Sequence, residues 1–200
     1  MTLSGQPSAT AVALKDNANN VLEQARSGDH EAFRLIFERY TRPVVSFLFD
    51  LVGRRDLAED LAQETFVRAY RGLHTLRDEA KLSTWIFGIA RNVARESFRS
   101  RSREDKKVRL DEAFVLDLSD EHPLPDGRLL NQELSRVIHE ALNRLDEDKR
   151  VVFTLKVLHQ KDYEEIAAIT GFSIAKLKTD LHRARAEMRR RVRPYVELQP

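Results

Sequence analysis

The chain has no cysteine among its 200 residues, which excludes disulfides and thiolate metal sites. An absence of cysteine is typical of proteins from a reducing compartment, and we expect this protein in the cytoplasm. Apolar runs of membrane-spanning length are also missing, and the N-terminus has no basic stretch followed by a long apolar core. We therefore expect a soluble protein without membrane insertion.

Motifs of catalysis are absent as well. The sequence contains no HExxH, no GxSxG, no P-loop and no glycine-rich dinucleotide turn, and its six histidines are scattered. The acidic stretch DLSDEHPLPDG lacks the glycine and the ligand spacing of an EF-hand. We expect no enzymatic activity, no metal site and no cofactor.

The net charge is only +2, so the totals do not predict a nucleic-acid binder, but charge is segregated along the chain. Arg99 to Arg109 contains six basic and two acidic residues, whereas Asp111 to Asp126 contains six acidic residues and no Lys or Arg. With Pro123 and Pro125 this composition predicts a flexible linker. We expect an all-α protein with a flexible N-terminal extension (1–24), a helical domain (25–100), a linker (101–130) and a second helical domain (131–196).

The first domain begins with apolar residues at three- and four-residue steps from Phe33 to Leu51, which predict one long helix or a pair interrupted near Pro43. Gly53 ends this pattern, and Asp56 with Glu59 predicts a capping box for the next helix. That helix carries an acidic, amide-bearing surface able to dock a basic partner, formed by Asp56, Glu59, Asp60, Gln63 and Glu64. Helix-dipole stabilisation accounts for the acids of the first turn but less well for Gln63 and Glu64.

A further helix is predicted over Leu82 to Arg103, after a loop from Gly72 to Lys81. At about 100° per residue, one side is apolar and packs, through Ile86, Ile89, Ala90, Val93 and Ser97. Nearly opposite lie Thr84, Arg91, Arg95 and Arg99, bordered by Trp85 and Asn92 on one edge and by Phe87 and Phe98 on the other. Exposed aromatics beside a basic stripe fit binding of unpaired nucleic acid; a solvated arginine face with aromatics at the edge of the hydrophobic core is the alternative.

The second domain opens with one helix face formed by Leu134, Val137, Ile138, Ala141, Leu142 and Leu145. Asp146 is predicted to cap the next helix, which places Val151, Val152, Phe153, Leu155 and Leu158 inside. Then Asp162 and Glu165 form a capping pair, Gly171 suits a left-handed helix end, and Ser173 caps a basic last helix. This pattern predicts a helix-turn-helix, although such patterns also arise by chance in helical bundles. The residues expected in the major groove are Ile174, Ala175, Lys176, Lys178 and Thr179, with Arg183 and Arg185 on phosphates.

The order of these features resembles the extracytoplasmic-function (ECF) group of sigma factors, the small initiation subunits of bacterial RNA polymerase. Four blocks carry the resemblance, which runs from about Ala25 to Tyr195: DLAQETF at 60–66, TWI and IARN between 84 and 92, YEEIA at 163–167, and LHRAR at 181–185.

The resemblance implies a protein that binds core RNA polymerase and directs it to promoter DNA. It implies docking on the β′ clamp helices through Asp56, Asp60, Gln63, Glu64 and Phe66. Minus-ten DNA would be opened and bound by Lys81, Thr84, Trp85, Arg91, Asn92, Arg95 and Arg99. The second domain would contact the β flap and the minus-thirty-five element, the latter through Ser173, Ile174, Ala175, Lys176, Lys178, Thr179, Arg183 and Arg185. The resemblance also implies a linker that threads toward the polymerase active centre and an anti-sigma factor as regulator.

Two positions depart from the pattern of the family. Asp180 stands where a base is frequent, and facing DNA it would repel phosphate or accept from a cytosine amino group. Leu82 stands where an aromatic is frequent. The alternative function is a helix-turn-helix regulator that is not a polymerase subunit, with Ala25 to Arg99 as its effector or dimer domain.

Overall fold

The computed structural model describes residues 21–76, 78–107 and 127–196, and these are helical throughout, without strands. The first lobe contains the helical segment 21–26 (α1), α2 (His30–Val52), α3 (Arg55–Gly72) and α4 (Leu82–Lys107). Two short 3₁₀ turns, Leu73–Thr75 and Glu79–Lys81, lie between α3 and α4. The all-α prediction is confirmed.

Helix α2 is a single helix that contains Pro43, so the alternative of an interrupted pair is wrong. Its start is fixed by Asp29, whose side chain accepts from the backbone N–H groups of Glu31 and Ala32 at 2.8 and 3.2 Å. Its end is fixed by Gly53, which adopts a left-handed φ of 70°. One proline costs the helix a single backbone donor, while the apolar face continues beyond it through the fully buried Phe47.

Helix α3 starts two residues earlier than the capping prediction requires. Arg54 occupies the N-cap position and makes no side-chain cap hydrogen bond. Asp56 therefore lies inside the first turn, where it forms an ion pair with Arg54. The predicted capping box of Asp56 and Glu59 is wrong because a carboxylate inside the helix no longer points back at the free N–H groups.

The second lobe contains α5 (Gly127–Asn143), α6 (Glu147–Phe153), α7 (Tyr163–Thr170) and α8 (Ile174–Val196). A π-helical turn, Thr154–Leu158, extends α6. A π turn holds more residues than an α turn and shifts the faces that follow it. Leu158 is consequently 40% exposed, so its predicted place in the hydrophobic core is wrong.

The predicted helix-turn-helix is confirmed by its hydrogen bonds. Asp162 and Glu165 form a reciprocal capping box at the start of α7, and Gly171 ends that helix with a left-handed φ of 73°. The hydroxyl of Ser173 then accepts from the backbone N–H of Lys176 at 3.3 Å, at the start of α8.

Replacing Asp162 with alanine is expected to lower the free energy of unfolding of the second lobe by about 1 kcal/mol, because it removes the capping box. Asp146 supplies a matched control, since it occupies the N-cap of α6 without a side-chain cap hydrogen bond. Asp146→Ala should therefore lower the free energy of unfolding much less, because it removes only an exposed ion pair with Lys149. Hydrogen exchange of the α7 amides measures both, and equal losses would contradict the prediction.

The two lobes pack directly against each other. Helix α4 lies on α7, and α2 lies on α5 and on the π-helical turn. Gly88 of α4 lies at this contact, where a Cβ would be 3.9 Å from the carbonyl oxygen of Ile169, an ordinary van der Waals distance. Across this interface Arg150 donates to the carbonyl oxygen of Leu51 at 2.8 Å, a group left free at the end of α2. The predicted acidic linker segment, residues 111–126, lies outside the described residues.

Candidate partner and nucleic-acid interfaces

The acidic surface on α3 is exposed, as predicted for Asp56, Asp60, Gln63 and Glu64. Phe66 differs, because only 4% of it is exposed and its ring packs edge-on against Phe37 at 4.8 Å between centroids. Phe66 therefore supports the surface from beneath. Beside the acidic residues runs an apolar groove, lined by Phe33, Phe37, Gln63, Phe66, Val67, Tyr70 and Arg71.

Arg68 ties this surface to α4. Its guanidinium pairs with Glu64 on its own helix at 2.7 Å and with Glu96 on α4 at 2.8 Å. These hydrogen bonds raise the pKa of Arg68 and lower the pKa of Glu96, so the pair stays charged at every physiological pH. Arg68 thus joins the acidic surface of α3 to α4 through a side-chain ion pair.

On α4 and the turn before it, the predicted minus-ten residues differ in exposure and fall into three groups. Lys81, Asn92 and Arg99 are exposed to solvent. Thr84 and Trp85 are half-buried, and the indole packs over Gly72, where a Cβ would lie 3.4 Å from its Cζ2 atom. This packing fixes one side of the indole, as a base-stacking platform requires.

The remaining two, Arg91 and Arg95, face the second lobe. Arg91 is 8% exposed, with its guanidinium 5.4 Å from the centre of the Phe172 ring. Burial and the neighbouring charge of Arg95 lower the pKa of Arg91, and its Nε has no hydrogen-bond partner. Arg95 approaches Glu147 at 3.5 Å. The expectation of an exposed stripe is wrong for Arg91, because helical period alone does not reveal which neighbour covers a face.

The prediction that Phe87 and Phe98 are exposed beside the basic stripe of α4 also needs correction. Phe87 is 3% exposed and packs on Phe47 with 5.2 Å between ring centroids. It is a hydrophobic-core residue at the contact between lobes. Phe98 is half-buried, with Arg150 of the second lobe 5.5 Å from its ring centre.

On the recognition helix α8, most predicted contacts are exposed: Ser173, Ile174, Ala175, Lys178, Thr179, Arg183 and Arg185. Lys176 is half-buried and pairs with Asp148 at 2.9 Å and with Asp180; the latter contact leads in raising the pKa of Lys176. Asp180 is 9% exposed. Asp180 therefore pairs with Lys176 and does not present a free carboxylate at the surface of α8.

Sequence reasoning missed a polar cluster between the lobes. Asp50 of α2 is 9% exposed; its Oδ1 lies 3.3 Å from Nε2 of His139 and its Oδ2 lies 3.0 Å from Nε2 of His159. These histidines follow Asp50 by 89 and 109 residues, so no local spacing links the three. We call Asp50, His139 and His159 the interlobe clasp.

Within the described part of the chain, no group of three or more His, Asp or Glu side chains is arranged to hold a metal ion. The helices described there include none long and apolar enough to cross a membrane.

Two family models match the chain. Sigma-70 region 2 matches residues 36–104 and Sigma-70 region 4 matches residues 135–188. The first match covers most of α2 through α4, and the second covers the lobe that contains the helix-turn-helix.

Matches to curated relatives cover nearly the full length of this chain. The "ECF RNA polymerase sigma-E factor" of Haemophilus influenzae is 29% identical over 93% of this chain and 100% of its own. The protein of the same name from Escherichia coli K12 is 29% identical over 88% of this chain and 94% of its own.

Solved structures show the same fold. The sigma factor RpoE in complex with the anti-sigma factor NepR, from Bartonella quintana, has a TM-score of 0.65 at 24% identity, covering 84% of this chain and 98% of that one. CnrH in complex with the cytosolic domain of CnrY has a TM-score of 0.63 at 22% identity, covering 92% and 99%.

Proposed function

The chain belongs to the ECF group of the sigma-70 family and acts as a sigma factor, and we propose that its surfaces divide the work of initiation. The main support is that the acidic surface of α3 and the minus-ten face of α4 lie next to each other on the same lobe. The exposed acidic row of α3 lies beside α4 with its tryptophan and basic residues, and Arg68 joins the two helices.

The α3 surface is proposed to dock core polymerase on the β′ clamp helices. Asp56, Asp60, Gln63 and Glu64 supply exposed carboxylate and amide groups, which suit a basic partner surface. The apolar groove next to them, with Phe66 as its buried support, supplies the area that excludes water around such contacts.

Minus-ten DNA is proposed to bind along α4. Trp85 offers a stacking face for an unpaired base, and Lys81, Thr84, Asn92 and Arg99 offer polar or cationic groups to backbone and base. Arg91 and Arg95 would join them once the second lobe moves away, because in the packed arrangement both side chains face that lobe.

Minus-thirty-five DNA is proposed to bind α8 in its major groove. The exposed N-terminal residues Ser173, Ile174, Ala175, Lys178 and Thr179 reach base edges, while Arg183 and Arg185 reach phosphates. Lys176 is paired with Asp148 and Asp180, so it would contact DNA only after leaving these carboxylates. The same lobe is proposed to contact the β flap.

The competing regulator hypothesis assigned Ala25 to Arg99 to an effector domain. The region 2 match over 36–104 favours the sigma factor instead. Sigma factors are non-catalytic initiation factors, so we propose that the chain catalyses no reaction of its own and works in the cytoplasm, where polymerase acts on DNA.

An anti-sigma factor is a proposed further partner. Two proteins with this fold have been solved in complexes, one with the anti-sigma factor NepR and one with the cytosolic domain of CnrY. A partner that contacts both lobes would block α4 and α8 together. Purification from native cells under all conditions without a stoichiometric inhibitor would contradict this.

The test is run-off transcription with the purified chain and sigma-free bacterial core polymerase on fragmented genomic DNA, with the RNA starts sequenced. Starts that share two upstream elements at fixed spacing are expected. Failure to bind core polymerase, with specific duplex binding retained, would replace the proposal by the regulator hypothesis.

Trp85→Ala is expected to reduce initiation about tenfold to a hundredfold at the same promoters, since stacking on one base is worth about 1–3 kcal/mol. Trp85→Tyr keeps an aromatic face and should retain most activity. Single-round transcription on linear templates measures both. Equal activity of Trp85→Ala and wild type would remove Trp85 from the DNA-binding surface.

A further inference from the structure

The interlobe clasp is built at the place where α2 meets the second lobe. Both oxygens of the Asp50 carboxylate are engaged, one by each histidine, and the three side chains are only 12–14% exposed. His159 stands edge-on to Phe47 and Phe87 at 5.6 and 5.9 Å between ring centroids, and His139 lies 4.7 Å from Phe49. A carboxylate in such surroundings is stable only with its partners in place.

The two hydrogen-bond partners of His139 also determine its protonation state. Its Nδ1 donates to the carbonyl oxygen of Ser135 at 2.8 Å, and its Nε2 faces the Asp50 carboxylate. Both neighbours are acceptors only, so both ring nitrogens must carry a proton and the ring is an imidazolium. The packed arrangement of the lobes therefore contains a buried, charged pair that spans the interface.

We propose that Asp50, His139 and His159 form a proton-controlled clasp that keeps the lobes packed over the minus-ten face of α4, and that deprotonation of His139 releases them. The inference rests on the proposed function, because it gives that surface an intramolecular regulator. Packed lobes bury Arg91 and leave its Nε without a hydrogen-bond partner. Release would return this cation to solvent, where it can meet phosphate.

Other charged groups around the clasp engage separate partners. From α6, Arg150 donates to the carbonyl oxygen of Leu51. Between the π-helical turn and α7, Lys161 lies 5.4 Å from the Phe87 ring centre and pairs with Glu165. Helix α4 presents the ring of Phe87 to His159, and on α5 Arg136 pairs with Glu140 at 3.5 Å. The histidines are thus the groups that hydrogen-bond the Asp50 carboxylate.

The direction of the pH effect follows from the two carboxylate–histidine contacts. Burial works to lower the pKa of His139, but its bonds to Asp50 and Ser135 outweigh burial and raise that pKa above the usual 6.5. This stabilisation of the packed form is complete below the usual histidine pKa and disappears as pH rises through the raised value.

Asp50 shows the opposite behaviour. Burial works to raise its pKa, and the hydrogen bonds from His139 and His159 outweigh burial and lower that pKa below 3.8. Its contribution is present above the usual aspartate pKa and disappears only as pH falls through the lowered value. The packed form is therefore most stable at mildly acidic pH and opens on alkalinisation.

The test measures the distance between lobes without polymerase or DNA. Because the chain has no cysteine, Glu38→Cys and Arg189→Cys, both at exposed positions of opposite lobes, accept one dye each for single-molecule energy transfer. We expect the packed-to-open ratio to fall as pH rises from about 6 to about 8.5, with a slope of at most about tenfold per pH unit, the limit for loss of one bound proton.

Variants assign the effect to the clasp. Asp50→Asn should be mostly open at both pH values, and His139→Gln should lose the pH dependence. His74→Gln, at an exposed histidine of the first lobe, should behave as wild type. A pH-independent wild-type ratio, or an unchanged pH response in either clasp variant, would overturn the proposal. Fluorescence of Trp85 and far-UV circular dichroism verify folding, and if Asp50→Asn does not fold, His139→Gln decides.

The outcome is independent of the proposed function. Opening on alkalinisation without promoter-directed transcription would support the clasp and contradict the proposed function. Promoter-directed transcription with a lobe distance that does not change with pH would support the proposed function and contradict the clasp.

Discussion

Asp60→Arg is expected to weaken binding to core polymerase at least about a hundredfold, because it places a cation in a carboxylate surface proposed to face a basic partner. Like charges opposed at an interface cost several kcal/mol, and each 1.4 kcal/mol is about tenfold in affinity. Asp60 is exposed on α3, so the fold should survive the change. Titration of labelled core polymerase with the variant measures the loss.

Glu23→Arg is the matched control for this charge reversal. Glu23 is exposed and pairs with Arg26 in α1, outside the region 2 match of residues 36–104. Its reversal should change polymerase affinity by less than about threefold, the scale of an exposed ion pair. Similar losses in both variants would show a general charge effect and would contradict docking at Asp60.

Phe47→Ala is expected to lower the free energy of unfolding of the first lobe by about 3–5 kcal/mol, the usual cost of a phenylalanine cavity. Phe47 has no exposed surface and contacts both Phe87 of α4 and His159 of the second lobe. The variant should therefore also shift the lobes toward the open form. Urea unfolding followed by the fluorescence of Trp85, the single tryptophan, reports on this lobe.

Phe37→Ala tests the same chemistry at the surface of α2. Phe37 is 40% exposed and makes one edge-on contact with Phe66, so its removal should cost about 0.5–1.5 kcal/mol. Equal losses from Phe37→Ala and Phe47→Ala would show that the hydrophobic core lies elsewhere than the structure places it.

Local signals explain what could be predicted from the sequence. The capping box of Asp162 and Glu165 and the helix ends at Gly53 and Gly171 depend on residues a few positions apart, and all were predicted correctly. The prediction failed at Asp56, because a two-residue shift of the helix start moves that carboxylate from the cap into the first turn. It failed at Leu158 because a π turn changes the helical period.

The sequence predicted which residues lie on the helices of the candidate site, but it did not predict which of them are buried. Helical period places Phe87 and Arg91 on α4, but each is covered by a residue elsewhere in the chain, Phe87 by Phe47 of α2 and Arg91 by Phe172 after α7. A polar or aromatic side chain on an amphipathic border is exposed or buried according to what packs on that border.

Most helices, the capping box of Asp162 and Glu165 and the helix-turn-helix could be predicted from the sequence, because hydrogen bonds and periodicities within a few residues specify them. Which of the side chains proposed to contact polymerase and DNA face solvent, and which lie between the lobes, depends on how the helices pack. Asp50 meets its histidines across 89 and 109 residues of chain, and only the packing of α2 against the second lobe brings such distant groups into contact.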